Sequence, residues 1–411
     1  MSPTIATQHG HDTSVVDLAR GDPGADLLPA ALVRDAAERA TAGLDPDLLQ
    51  YGLESGDAGV RAAIAAFLQR EGAGASAPGR LFVTAGASLA LHLVCALFAR
   101  PGDRVLVADP TYHLALAQFS DHGLRVEAVA SDEDGIVPEA LEAALRSGPA
   151  AFLYLVPHFA NPSGTTLPPE RQRAVVDLAA RHGVRVVADE VYRLTGFAAV
   201  AAAATAAAGH AGRPPRSLAA LDGELVLSLN SVSKILSPGL RLGWIEGPPA
   251  DLGRIAASGV LRSGGGMNPF TAAVVRAAIE SGALTAHLAT VRARLRERHA
   301  ALAAAIAADL PQASFAPAAG GYFLWVRVPG LDVDDPAWRD ALRRHAVRVA
   351  RGTQFSPGTG AAGGPGAAAS GGTRAPDDAH ERLRLCFAHA APDVLREGVA
   401  RLAAALDDAR R

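Results

Sequence analysis

Cysteine is nearly absent from this sequence, which has only Cys95 and Cys386 among 411 residues. The two lie far apart, and neither belongs to a CxxC pair or to a Cys/His spacing typical of zinc ligands. The sequence therefore predicts no disulfide framework and no metal site, and it favours a reducing compartment.

An excess of one charge is also missing. The 39 Lys and Arg residues nearly balance the 42 Asp and Glu residues, which gives a formal net charge of -3. Proteins that bind nucleic acid or anionic membranes usually carry a basic surface. We therefore expect neither partner.

Long apolar runs that could span a membrane are lacking as well. The stretch 196–210, GFAAVAAAATAAAGH, is alanine-rich and bounded by glycine, whereas a membrane helix needs about 20 consecutive apolar residues. The first residues, MSPTIATQHGHDTS, have no charged start followed by an apolar core, as a secretory signal would. These features predict a soluble, cytoplasmic protein.

What the chain does contain is a regular alternation of elements. From about residue 80, short apolar runs alternate with amphipathic segments of helical length, such as 88–103 and 168–183, the second ending at Gly183. The runs are 80–84, 104–109, 151–156, 184–190 and 224–230. Strands that alternate with helices indicate an α/β fold, with a mostly parallel sheet between layers of helices.

The pattern changes after about residue 268, where a long helical stretch to Leu310 precedes two strand-like runs and a final helix from about Pro392. We expect a large domain at 44–268 and a smaller α+β domain at 269–411, which the segment 1–43 joins. Two low-complexity segments, 198–215 and 358–374, are predicted to be loops, because Gly and Ala runs bury too little surface to offset their ordering entropy.

Candidate site residues follow the predicted strands, because parallel sheets bind ligands beyond the carboxyl ends of their strands. Gly86, Ala87 and Ser88 come after the first run, where free N–H groups at a helix start favour a phosphate, although most such turns are plain connections. Tyr112 follows the second run and could stack on an aromatic ring or pack on its own domain.

Polar residues also follow the third and fourth runs. Asn161 precedes a proline and could aim its amide inward or form a local turn, while His158 is expected to be structural. Asp189 would be buried at a strand end and would need a partner, although a structural ion pair is an equally open alternative. Tyr192 lies within reach of the same place.

The segment SVSKILSPGLRLGW, at 231–244, follows the fifth run. A lysine at the end of a buried strand, here Lys234, suits covalent chemistry better than packing. Ser231, Ser233 and Arg241 could bind a phosphate.

One ligand matches the whole set. A pyridine ring with an aldehyde, a phenolic oxygen and a phosphate requires a lysine, a carboxylate, hydrogen-bond donors and an anion site. With ANPSG, ADEVY and SVSKILSPGLRLGW in this order, the sequence resembles the fold-type I pyridoxal-phosphate enzymes of the class I and II aminotransferase family, from about residue 17 to the last helix. The resemblance implies transfer of an amino group between an α-amino acid and a 2-oxo acid, with pyridoxal 5'-phosphate as the cofactor.

The resemblance also implies a role for each residue. Lys234 would form the Schiff base and Asp189 would pair with the pyridine nitrogen, while Asn161 and Tyr192 would bind the phenolic oxygen and Tyr112 would stack on the ring. The phosphate would be bound by a group of six residues, Gly86, Ala87, Ser88, Ser231, Ser233 and Arg241.

Further segments extend the resemblance to the substrate and to a second subunit. QYGLESGDAGVR, at 50–61, implies a homodimer in which Tyr51 reaches the phosphate of the neighbouring subunit. RLRLCFA, at 382–388, implies that Arg384 binds the substrate α-carboxylate, near Gly21. Arg351 and Gly352 replace the Pro-Gly that the family usually has near the substrate entrance, which leaves the choice of substrate open.

Two alternatives remain open on the sequence alone. The first is another pyridoxal-phosphate reaction, by a β-lyase, decarboxylase or oxidase, because the same groups serve all of them. The second is a cofactor-sensing regulator. Such relatives carry a DNA-binding module in front, and the segment before Tyr51 has no helix-turn-helix pattern. RSGGGMNPF, at 262–270, resembles the broad-specificity and 2-aminoadipate-type branch.

Overall fold

The computed structural model describes residues 14–74, 76–197, 214–357 and 378–410. The predicted loop 358–374 lies outside these residues, as does 198–213 of the predicted loop 198–215.

The strands form one large sheet and two small ones. They are β1 (Val16–Asp17), β2 (Leu81–Thr84), β3 (Arg104–Asp109), β4 (Arg125–Asp132), β5 (Gly135–Ile136), β6 (Phe152–Leu155), β7 (Arg185–Asp189), β8 (Val226–Ser231), β9 (Gly243–Glu246), β10 (Phe323–Arg327), β11 (Val347–Arg348), β12 (Ala350–Arg351) and β13 (Arg382–Cys386). The large sheet has the order β2-β9-β8-β7-β6-β3-β4-β5. Its strands β4, β3, β6, β7 and β8 pair in parallel, which confirms the predicted α/β fold.

Burial explains why five strands of the large sheet were predictable and others were not. Every residue of β6 and β8 is buried, as expected for parallel strands covered on both faces. By contrast, β4 has one buried residue and lacks an apolar run. The antiparallel β9 begins at Gly243, where a Cβ atom would lie 2.5 Å from the Asn230 carbonyl oxygen, so this strand start needs glycine rather than a typical strand residue.

Helices flank the sheet and form much of the C-terminal half. They span Ala30–Thr41, Ala58–Arg70, Ala87–Phe98, His113–Asp121, Pro138–Arg146, Pro169–Arg181, Pro249–Ala256, Gly259–Arg262, Pro269–Glu280, Ala283–Asp309, Pro336–Arg344 and Pro392–Ala409. Within the described ranges, no helix is long and apolar enough to cross a membrane. The single helical stretch predicted up to Leu310 is instead two helices, because Gly282 adopts a left-handed φ of 77° between them.

The second of these two helices, Ala283–Asp309, packs in two different hydrophobic clusters along its length. Leu284 and Leu288 pack in a cluster with residues of β2 and β9, whereas Val291 and Leu295 pack with residues of β10, β13 and the last helix. Val16 belongs to the latter cluster, and β1 pairs with β11. The division into 1–43, 44–268 and 269–411 stays a prediction.

Candidate active site

The turn after β8 places Lys234 beside the N-terminal segment. Its amine Nζ donates a hydrogen bond to the Gly21 carbonyl oxygen at 2.7 Å and lies 5.6 Å and 5.4 Å from the ring centroids of Tyr192 and Tyr322. Burial lowers the pKa of the lysine, because an apolar environment disfavours the ammonium form. A lysine in this state is suited to act as a nucleophile and as a base.

Asp189, at the end of β7, has two oxygens in different states. Oδ2 accepts a hydrogen bond from the Tyr154 hydroxyl at 2.9 Å, while Oδ1 is buried and has no hydrogen-bond partner among the described residues. Burial raises the pKa of this carboxyl to about 6, although the Tyr154 hydroxyl, the Val191 backbone N–H and the charge of Lys234 act in the opposite direction. A buried oxygen without a partner requires a donor, and a protonated ring nitrogen would supply one.

Sequence reasoning missed Tyr154, although a signal was present. Tyr154 is the only polar side chain in the buried run FLYL of β6, and a buried tyrosine hydroxyl usually has a hydrogen-bond partner.

The turn between β2 and the following helix, which is the predicted phosphate site, forms a tight cradle against Arg241. Gly86 has a φ of 87°, and a Cβ atom at this position would lie 2.6 Å from Nη2 of Arg241. The ends of β2, β9 and β8 are adjacent, since Gly243 is paired with both Thr84 and Ser231. The sheet therefore brings the predicted phosphate ligands on separate segments into one place.

Hydroxyl and backbone donors complete this cradle. Ser231 donates from Oγ to Oγ of Ser233 at 2.8 Å, and its own Oγ accepts from the Ser233 backbone N–H at 3.0 Å. Ala87 and Ser88 begin the helix Ala87–Phe98, so their N–H groups belong to the first helical turn, which lacks intrahelical acceptors. Such a helix start is a favourable phosphate site.

Arg384 lies buried in β13 with its guanidinium fixed on several sides. Nη1 donates to Oδ1 of Asn161 at 2.9 Å, and Nη2 donates to the Ala19 carbonyl oxygen. Its carbon Cζ is 4.2 Å from the ring centroid of Phe323. A Cβ atom added at Gly21 would lie 4.0 Å from Nη1, and the Gly21 carbonyl oxygen is bonded to Lys234, so Gly21 lies near both the guanidinium and the lysine amine.

Two predicted tyrosines lie in the same region. Tyr192 packs edge to face against Tyr322 and Phe323, with ring centroids 5.4 Å and 5.8 Å away. Burial raises the pKa of Tyr112 to about 12, and the neighbouring charge of Asp189 acts in the same direction. Tyr322, which the sequence reasoning did not select, donates from its hydroxyl to the Lys234 carbonyl oxygen at 2.8 Å.

Tyr51 lies on the surface of the chain, as do Ser88 and Arg241 among the predicted site residues. Its side chain is 84% exposed and lies beside Gly264, where an added Cβ atom would be 2.5 Å from the ring. Among the described residues, no recorded hydrogen bond or ring contact joins Tyr51 to the other predicted site residues.

His158, expected to be structural, lies beside Glu190, the residue that follows Asp189. Its Nε2 atom is 3.5 Å from Oε1 of Glu190, and both side chains are fully buried. Glu190 also accepts hydrogen bonds from the Ser228 hydroxyl and the Leu218 N–H, at 2.6 Å and 2.7 Å. Although burial favours the neutral acid, the neighbouring His158 and the charge of Arg193 bring the pKa of Glu190 down to about 2. A structural role for His158 stays a prediction.

These residues fit pyridoxal phosphate on features of the protein itself. The unpartnered Oδ1 of Asp189 suits a pyridinium N–H, the cradle at Gly86 has no room for a side chain, and the Lys234 amine has a carbonyl oxygen as its hydrogen-bond partner.

Comparison with known proteins decides the family. The family model for aminotransferase class I and II matches residues 13–402. The chain belongs to this family. It is therefore an enzyme that uses pyridoxal phosphate to transfer amino groups, which confirms the predicted cofactor and reaction class.

Individual relatives agree with this assignment. The aminotransferase is 26% identical over 401 residues to aromatic-amino-acid aminotransferase 1 of Thermococcus litoralis, covering 95% of this chain and 88% of the relative. It resembles the structure of LysN, the α-aminoadipate aminotransferase of Thermus thermophilus complexed with N-(5'-phosphopyridoxyl)-L-leucine, with a TM-score of 0.80 and 28% identity over 97% of this chain and 93% of that one.

A regulator shares the same kind of domain. The uncharacterized HTH-type transcriptional regulator YisV of Bacillus subtilis is 28% identical over 320 residues, which cover 76% of this chain and 61% of the regulator. The aminotransferase thus spans about three fifths of that relative's length.

Proposed function

We propose that this aminotransferase moves the amino group of an α-amino acid to a 2-oxo acid, with Lys234 as the residue that binds the cofactor and transfers the α-proton. One observation carries the proposal: Gly21 lies near both functional groups, since its carbonyl oxygen accepts a hydrogen bond from Lys234 and a Cβ atom added to it would lie 4.0 Å from Nη1 of Arg384. A substrate whose α-carboxylate pairs with Arg384 would therefore hold its α-carbon near the lysine amine.

The residues around the ring have separate tasks in this proposal. When bound, pyridoxal phosphate supplies the electron sink that makes the α-hydrogen acidic. Asp189 holds the proton on the ring nitrogen through Oδ1, because a nearby negative charge favours the cationic form. Lys234, whose pKa is lowered by burial, accepts the proton from the α-carbon of the amino donor. In the second half of the reaction, it delivers a proton to the carbon of the 2-oxo acid that becomes the new α-carbon.

Binding and orientation fall to the remaining residues. Arg384 pairs with the α-carboxylate through a planar pair of N–H donors, and Asn161 and Tyr192 serve the phenolic oxygen. Tyr112 stacks on the ring. The phosphate is bound by the cradle residues Gly86, Ala87, Ser88, Ser231, Ser233 and Arg241.

The proposal includes a homodimer, supported by the surface around Tyr51. Leu49 and Leu53 are 70% and 59% exposed beside it, and Val260 and Phe270 on the neighbouring segment are 51% and 41% exposed. A group of exposed apolar side chains of this kind is typical of an interaction surface. On this proposal, Tyr51 reaches the phosphate cradle of the second subunit.

A cytoplasmic location is also proposed, supported by two free and buried cysteines, Cys95 and Cys386.

The test is a donor and acceptor panel with the purified, cofactor-loaded protein. The named activities of the relatives make phenylalanine, tyrosine and 2-aminoadipate the first donors, each with 2-oxoglutarate or pyruvate. We expect one molecule of a new amino acid to form from the 2-oxo acid acceptor for each molecule of donor consumed. Release of ammonia without any acceptor would instead support a lyase reaction and contradict the proposal.

A further inference from the structure

Asp109, at the end of β3, is a buried carboxyl group to which the proposed reaction gives no task. It is 5% exposed, and its Oδ2 accepts a hydrogen bond from the Ser356 hydroxyl at 3.1 Å. Oδ1 is buried without a hydrogen-bond partner among the described residues. Burial raises the pKa of this carboxyl to about 6. Because burying a carboxyl group is unfavourable, this contact needs an explanation.

The contact joins the large sheet to a turn of the C-terminal part. Ser356 follows the 3-10 turn Gly352–Phe355, directly after β12. A second hydrogen bond lies beside it: the backbone N–H of Thr111, two residues after Asp109, donates at 2.9 Å to the carbonyl oxygen of Phe355, the residue before Ser356. Two hydrogen bonds thus connect the end of β3 to the turn that carries Phe355.

Phe355 lies against the arginine proposed to bind substrate. Its ring is fully buried, with its centroid 4.9 Å from Cζ of Arg384. It also contacts the ring of His113 at 4.9 Å and the ring of Trp325 at 5.7 Å. Trp325 is paired with Arg384 across β10 and β13, so the two side chains share one face of this sheet.

An aromatic ring in this position affects a guanidinium in two ways. The ring face attracts the cation directly, by about 0.5 to 2 kcal/mol depending on its exposure to solvent. The ring also keeps water away, and a charge pair is stronger where the local dielectric constant is low. Displacement of Phe355 would therefore weaken the binding of a carboxylate to Arg384.

We propose that Asp109 and Ser356 are positioning residues, whose hydrogen bond holds Phe355 over the Arg384 guanidinium and so strengthens the binding of the substrate α-carboxylate. This inference rests on the proposed role of Arg384. It predicts an effect on every α-amino acid and 2-oxo acid alike, because the part of the substrate concerned is common to all.

Four variants separate the hydrogen bond from simple packing. Ser356→Ala removes the donor and Asp109→Ala removes the acceptor, whereas Ser356→Thr keeps a hydroxyl and Asp109→Asn keeps an acceptor oxygen. The double variant Asp109→Ala/Ser356→Ala tests whether the two residues act as one unit. Ser217→Ala is the matched control, because Ser217 is a buried serine whose Oγ caps a separate turn by accepting from the Ala219 N–H.

The first measurement is the affinity of the cofactor-loaded protein for 2-methylalanine, an amino acid without an α-hydrogen, followed by the absorbance of the cofactor. Loss of one hydrogen bond is expected to weaken binding roughly threefold to tenfold in Ser356→Ala and Asp109→Ala. The double variant should be no weaker than the single ones, and the Thr, Asn and Ser217→Ala variants should stay within about twofold of the wild type. For a transferable donor, KM should rise by the same factor with kcat nearly unchanged.

The second measurement is hydrogen exchange at the Thr111 amide, which needs no turnover. Exchange should be faster in Ser356→Ala than in the wild type and unchanged in Ser217→Ala. The inference is wrong if Ser356→Ala keeps the wild-type affinity, whatever its exchange rate, or if Ser217→Ala weakens binding equally. A wild type that transfers no amino groups would contradict the proposed function alone, because both of these measurements can still be made.

Discussion

The Tyr154 hydroxyl donates a hydrogen bond to Oδ2 of Asp189 at 2.9 Å, and this contact makes the environments of the two carboxylate oxygens different. Oδ2 has a partner in the protein, whereas Oδ1 has no hydrogen-bond partner among the described residues. The donor also stabilises the charged form of Asp189 against the effect of burial. Tyr154 therefore helps to keep the carboxylate ionised, as pairing with a pyridinium requires.

Removal of this donor gives a prediction about pH. The pKa of Asp189 is about 6 in the folded protein, raised by burial above its ordinary value, so cofactor affinity that depends on the carboxylate is lost as the pH falls through this range. Tyr154→Phe should raise the pKa further and move the midpoint of this loss upward by roughly 0.5 to 1 pH unit, the equivalent of one hydrogen bond. Cofactor binding titrated from pH 8 to pH 5 checks it against the wild type, and a midpoint that stays or moves down would contradict it.

The same raised pKa affects the stability of the cofactor-free protein. Because the folded pKa lies above the unfolded value of about 3.9, the contribution of Asp189 is most favourable below that value and is lost as the pH rises through about 6. Thermal unfolding of the wild type and Tyr154→Phe at several pH values controls for this effect in the binding titration.

Asp189→Asn should retain part of the cofactor affinity but lose most of the activity. The amide cannot hold the ring nitrogen in its protonated form. If the pKa of that nitrogen falls by about two units, kcat should decrease about a hundredfold or more. Steady-state kinetics with saturating cofactor check this prediction. Turnover close to that of the wild type would mean that Asp189 is only structural.

Arg384→Lys should weaken every α-amino acid substrate alike. A point charge replaces a planar group that is held by Asn161 and packed on Phe323, and we expect kcat/KM to fall about tenfold to a hundredfold. The donor panel measures it. If a single class of donor suffered, Arg384 would be contacting a side chain rather than the common carboxylate.

Much of this site followed from the sequence because its residues come directly after strands of the sheet. Asp189 ends β7, and Lys234 lies three residues after β8, so the periodicity that predicted the strands also located these two residues. Contacts between distant segments were not predictable in this way. The Lys234 contact with Gly21 and the Ser356 contact with Asp109 join residues more than 200 positions apart, and no local pattern records such a pairing.

A mixed-dimer experiment tests the shared site. Tyr51→Glu should disable the enzyme by placing a negative charge beside the phosphate, and Lys234→Ala should disable it separately. After subunit exchange, one site of the mixed dimer carries both changes, while the other has Lys234 and the partner's Tyr51 intact. Activity should therefore return, up to about a quarter of the wild-type level for random pairing. If exchange is demonstrated and no activity appears, Tyr51 does not act across the interface.

The most direct test of the account is the chemical state of Lys234 in the loaded enzyme. Treatment with borohydride should fix the cofactor to the protein, and mass spectrometry of the digested chain should find the pyridoxyl group on the peptide that contains Lys234. Lys234→Ala, which keeps the phosphate cradle, should bind the cofactor without any covalent label. Lys234 is the only lysine of the chain, so a label on the N-terminal amine, or no label in fully loaded wild-type protein, would contradict the assignment of Lys234 and the mechanism built on it.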